Sequence, residues 1–104
     1  MGWRFLLLSA FLAVSAQAYG QSGAGYVPKG GFVPDAKTAI AIAEAVLKPI
    51  YGEEQIKSER PFSAHLSQGV WRVEGHLPDE DVGGVAEVRI RKSDAAILFV
   101  LHGK

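Results

Sequence analysis

The chain has no cysteine. That excludes disulfide staples, thiolate metal sites and a thiol nucleophile. It also lacks an excess of either charge, since 11 Lys and Arg balance 11 Asp and Glu over 104 residues. Without a basic stretch there is no electrostatic case for nucleic acid or anionic lipid as a partner. The apolar run from Phe5 to Val14 is too short to span a bilayer, which needs roughly 20 residues. There is no Gly-x-Ser-x-Gly elbow, no phosphate loop and no His-x-Glu-x-x-His spacing. The sequence therefore gives no positive sign of catalysis, metal or cofactor.

What is present begins with an export signal. MGWR is a short basic start, FLLLSAFLAV an apolar run, and Ala16-Gln17-Ala18 a small-x-small cleavage site. Residues 1–18 read as a cleaved secretory signal, which implies a periplasmic protein with no membrane attachment after cleavage. Residues 19–31, YGQSGAGYVPKGG, are rich in Gly and read as a flexible leader. Residues 32–104 then form a single small domain. A domain of this size without staples has little stability to spare, so a protein partner or a homodimer would help it.

FVPDAKTAIAIAEAVLKPIYG predicts one helix. Asp35 is an N-cap, Ile40, Ala43, Leu47 and Ile50 recur at helical spacing, and Ala39 and Val46 widen the stripe. Pro49 is expected to end or kink the helix near Leu47. EEQIKSERP reads as a connector, with room for a short helical turn.

Four strands follow by alternation. Phe62, Ala64 and Leu66 face inward from PFSAHLS. Trp71, Val73 and Leu77 face inward from GVWRVEGHL, and Ala86, Val88 and Ile90 from VAEVRIRK. In AILFVL the inward row is assigned to Ile97, Phe99 and Leu101, which leaves Ala96, Leu98 and Val100 outward. With Ser93 and Asp94 central in the last turn, Ile90 sits opposite Ile97 and Val88 opposite Phe99. The expected fold is α+β: an N-terminal helix packed on a curved antiparallel four-stranded meander.

The outward face carries Arg72, Glu74, His76, Glu87, Arg89 and Arg91, beside a last strand that is apolar on both parities. Cross-strand ion pairing is the simplest reading of the charges. An apolar patch beside charges is also the signature of a contact surface, and solvation and docking account for this face equally well. The candidate partner-binding residues are Arg72, Glu74, His76, Glu87, Arg89, Arg91, Leu98 and Val100. His65, His76 and His102 share that face by parity alone, which is too little to assign a metal. The acidic loop Asp79-Glu80-Asp81 lacks the alternating ligands of a calcium loop.

Taken as an ordered set, Tyr51-Gly52, Pro61-Phe62, Gly69 to Pro78, Gly83-Gly84 and His102-Gly103-Lys104 resemble the small bacterial immunity proteins of the nuclear transport factor two (cystatin-like) fold. The resemblance implies a trimmed version of that fold. It also implies a non-enzymatic function, the binding and neutralisation of a cognate toxin delivered by competing or sister bacteria, without a cofactor. It transfers no binding residues. An alternative of different class is an exported PepSY-like regulator or inhibitor of an envelope protease, which shares the outline of one helix and an antiparallel sheet.

Overall fold

The computed structural model describes residues 24–78 and 83–103. The signal segment, the start of the leader, the acidic loop with its calcium reading, and Lys104 lie outside the described residues.

Helix α1 spans Ala36–Tyr51. Asp35 caps it as expected, its Oδ1 accepting from the Thr38 amide at 2.8 Å and the Thr38 hydroxyl at 2.6 Å. The buried stripe is Ala39, Ala43 and Leu47. Two alanines in that stripe let the helix approach the sheet closely. Ile50, expected in the same stripe, is 55% exposed. Pro49 does not end the helix near Leu47. The helix runs through it to Tyr51 and closes where the Gly52 amide donates to Lys48 O at 2.8 Å. The hydrogen bond that proline cannot make would go to the Ala45 carbonyl. Ala45 and Pro49 are both exposed, so solvent can serve the freed acceptor. The extra turn carries Tyr51 against the core.

The expected connector is mostly a second helix, α2 (Glu53–Ser58), which buries Ile56 and delivers Glu59 beneath the sheet. Arg60, just beyond it, reaches back to Glu44 on α1, with Nη2 to Oε1 at 2.6 Å.

Strands β1 (Ser63–Ser67), β2 (Val70–Glu74), β3 (Ala86–Arg91) and β4 (Ile97–His102) form an antiparallel sheet in the order β1-β2-β3-β4, the predicted meander. Gln68 and Gly69 make the first turn with φ of 49° and 75°, the positive pair that a two-residue hairpin turn of type I′ requires. Helix α1 lies over β1, β2 and β3 and leaves β4 largely outside its footprint. The core between them holds Leu47, Ile56, Val73, Val88 and Ile90, all fully buried. Each such side chain contributes roughly 1.5–3 kcal/mol by leaving water. Trp71 is 7% exposed, and its indole N–H donates to Val33 O at 2.8 Å, so the ring is buried without an orphaned donor. Leu77, expected inward from the same strand, lies beyond the end of β2 and is half-buried.

The segment just before α1 is bound to the turn end of the sheet. Val33 and Phe32 amides donate to Lys92 O and Ser93 O at 3.0 and 3.1 Å, which ties this segment to the loop between β3 and β4. Gly31 sits there with φ of 84°, and a Cβ on it would lie 2.5 Å from Lys92 O. Only glycine fits that approach.

The last strand departs from expectation. Ile90 pairs with Ile97 as predicted, but Arg89 then pairs with Phe99 and Val88 with Val100, because a bulge falls between Arg89 and Ile90 and leaves Leu98 over. One extra residue inverts every parity beyond it. Val100 and His102 therefore turn toward the helix side, opposite Val88 and Ala86. Phe99 and Leu101, assigned to the core from sequence, turn out onto the open face, where they are 39% and 47% exposed. Val100 is thereby removed from the candidate contact surface.

Candidate functional site

The open face is built from alternate residues of four strands. Across the sheet, His65 pairs with Arg72, Arg72 with Arg89, and Arg89 with Phe99. One row along, Ser63 pairs with Glu74, Glu74 with Glu87, and Glu87 with Leu101. The ion pairs consequently run along the strands and not across them: Arg72 Nη1 meets Glu74 Oε1 at 2.9 Å, and Arg89 Nε meets Glu87 Oε2 at 2.8 Å. This corrects the cross-strand pairing expected from sequence. Across the strands like charge faces like, a destabilising arrangement for directly opposed residues.

Arg89 also lies over the Phe99 ring, 4.7 Å from its centroid, a cation–π contact. Leu98, at the bulge, is 44% exposed. Together His65, Val70, Arg72, Arg89, Leu98 and Phe99 line a groove of about 650 Å³. A second crevice of about 420 Å³ adjoins it through Gln68 and Val70, with Lys29, Arg91 and Lys92 in its wall. Arg91 is held by Asp94, Nη1 to Oδ2 at 2.9 Å, and the Ala96 amide, with this contact second, keeps the Asp94 carboxyl below its ordinary range.

Of the residues proposed from sequence, Arg72, Glu74, Glu87, Arg89, Arg91 and Leu98 share this open side. Val100 does not. His76 lies beyond the end of β2, exposed, with its amide donating to Glu59 O at 2.6 Å. Phe99 and Leu101 complete the surface and were missed, because β4 is apolar on both parities and alternation gives no sign of its bulge.

A different polar assembly lies at the other side of the sheet. Glu59 is 4% exposed, yet every oxygen of its carboxylate is served. The Ala86 amide donates to Oε1 at 2.7 Å, while Gln55 Nε2 and His102 Nε2 donate to Oε2 at 2.9 and 2.8 Å. The other ring nitrogen of His102 contacts Gly103 O at 2.8 Å. Both partners of that ring are acceptors, so both contacts are satisfied together only by the imidazolium. Burial is the largest single influence on Glu59 and opposes its ionisation, but the Ala86, Gln55 and His102 donors outweigh it and lower its pKa. His102 is correspondingly raised, first by the hydrogen bond to Glu59. Tyr51 packs on His102 with ring centroids 5.1 Å apart. This assembly consumes its own donors and acceptors, and its chemistry is that of a structural clamp joining α2 to β3 and β4. His102 turns to the helix side of the sheet while His65 lies on the open face, and among the described residues there is no group of three metal-ligating side chains.

A long helix and a short second one on one face of a four-stranded antiparallel meander, with nothing among the described residues laid over the other face, define an α+β domain that presents a surface. The chain belongs to the NTF2 fold immunity protein family, which it matches over residues 38–104. It is similar to two uncharacterized proteins of Escherichia coli (strain K12). It shares 36% identity with YhhH over 67 residues, covering 64% of this chain and 53% of that protein. It shares 37% with YbbC over 67 residues, covering 64% and 55%. The chain thus spans about half the length of these curated relatives. No solved structure matches it significantly.

Proposed function

We propose that this protein binds and neutralises a protein toxin, that it does so by occluding the toxin through the open face of its sheet, and that it acts in the periplasm after export by its N-terminal signal. The observation that carries the reading is the composition of that face. Leu98, Phe99 and Leu101 are exposed beside the Arg72 and Arg89 guanidinium groups, and nothing among the described residues covers them. A few exposed apolar side chains set among paired charges give a partner both buried area and register. Family membership supports immunity as the purpose of that binding. No turnover is needed, because a binding protein that seals a toxin's working surface disarms it by mass action.

The test is a protection assay between strains. Cells that carry the gene with its signal segment intact should survive contact with toxin-delivering sister cells, and cells carrying a version without residues 1–18 should be killed. Equal protection by both versions would contradict the periplasmic part. Protection by neither would contradict the immunity reading.

A further inference from the structure

The geometry points to the occupant of the open-face groove: an acidic segment of the partner, a loop or strand that sets carboxylates between Arg72 and Arg89 and lays an apolar side chain against Leu98 and Phe99. This rests on the binding function proposed above and adds the chemistry of the contact.

The first support is the sorting of charge. With two arginines and two glutamates on neighbouring positions of β2 and β3, an alternating arrangement would have given two direct cross-strand ion pairs. The chain places Arg72 opposite Arg89 and Glu74 opposite Glu87 instead. Such sorting weakens the isolated sheet, and what it produces is a field with a positive half and a negative half. Toward the turns the positive half is continued by Lys29 and Lys92 in the adjoining crevice.

The second support is unused donor capacity. A guanidinium offers five N–H donors. Arg89 gives Nε to Glu87 and Arg72 gives Nη1 to Glu74, and both side chains remain 48% and 43% exposed. No other acceptor for either is found among the described residues. Both arginines line the groove, and a guanidinium fork suits a carboxylate.

The third support is the apolar wall. Phe99 is fixed against Arg89, and Leu98 stands out at the bulge, so the cationic row ends on a hydrophobic ledge. A free small anion would leave that ledge wet. A peptide with an apolar side chain next to its acids covers it. A second copy of this chain would have to bring its own negative half, Glu74 and Glu87, into the groove.

The experiment is a titration of the purified, nitrogen-15-labelled protein with three probes, followed by NMR. The probes are a short synthetic peptide of alternating Asp and Glu around a central Leu-Phe pair, the same peptide with Lys for each acid, and acetate. The acidic peptide should shift the Arg72 and Arg89 side-chain signals and those of Phe99. Its affinity should fall steeply between about 0.01 M and about 1 M salt, as the screening length shortens. Arg72→Gln and Arg89→Gln, shown by melting to be folded, should each weaken it about tenfold, the loss of one charge-assisted hydrogen bond. Shifts with the lysine peptide at the Glu74–Glu87 half, or no shifts at millimolar acidic peptide, would overturn the proposal. Acetate acting as well as the peptide would make the site one for free anions, and a concentration-dependent dimer that blocks the peptide would make the occupant a second copy. Either result also overturns it. Peptide binding without any toxin captured from cells would leave the groove's chemistry standing and remove the immunity reading. The reverse result would remove only the groove.

Discussion

The carboxylate of Glu59 accepts from His102 Nε2 at 2.8 Å in a site where Glu59 is only 4% exposed, and this contact ties the end of α2 to the last residue of β4. Its energetics depend on pH with a definite sign. His102 has a raised pKa in the folded state, so its contribution is complete below its ordinary 6.5 and is lost as pH rises through the folded value. Glu59 has a lowered pKa, so its contribution is complete above its ordinary 4.5 and is lost as pH falls through the folded value. Both are whole between those two values. Urea unfolding should therefore give a midpoint highest in that window and declining on the alkaline side, and His102→Gln should flatten the alkaline decline.

Gly75 is the other half of the same arrangement. A Cβ there would stand 2.5 Å from Glu59 Oε1 and 2.9 Å from Glu59 Cβ. Gly75→Ala should displace the carboxylate from the Ala86 amide and destabilise by about 1–3 kcal/mol, as overpacking does. Thermal melting with and without the substitution measures it.

Trp71→Ala should cost about 3–5 kcal/mol, the range for deleting a buried aromatic. The indole is almost fully enclosed and its N–H holds Val33, so the loss reaches the segment before α1. A wild-type urea midpoint in that variant would contradict the assignment of the core.

Gln68 offers a change in the opposite direction. It is exposed and held at φ of 49° in a two-residue turn. Asparagine tolerates that conformation better, so Gln68→Asn should stabilise by about 0.5–1 kcal/mol. The effect should appear as a higher melting temperature with unchanged spectra.

Much of this fold was legible in the residues. Asp35 with the spacing of Ile40, Ala43, Leu47 and Ile50 gave α1, although the stripe it buries is Ala39, Ala43 and Leu47. Strict alternation gave β2 and β3, because one face of each is buried and the other wet. Two features were hidden for physical reasons. In β4 both parities are apolar, so a one-residue bulge at Leu98 leaves no mark on the pattern while it moves Phe99 and Leu101 to the open face and Val100 off it. Glu59 sits in a polar run that reads as solvated. Its partners Ala86 and His102 are 27 and 43 positions away, a separation that local reasoning does not reach. Several residues that carry the family resemblance, Tyr51, Gly75 and His102 among them, gather around this carboxylate. The resemblance is therefore partly a record of architecture, and the contact surface had to be read from the sheet itself.

The most direct test of the central claim is capture. Tagged protein is incubated with envelope extract of the producing strain, and bound partners are identified by mass spectrometry, in parallel with the Arg72→Glu, Arg89→Glu double variant. Recovery of a toxin, or of its C-terminal fragment, by the native protein and its loss with the folded double variant is the predicted result. Recovery of an envelope protease, or equal recovery of the toxin by both forms, would contradict the account.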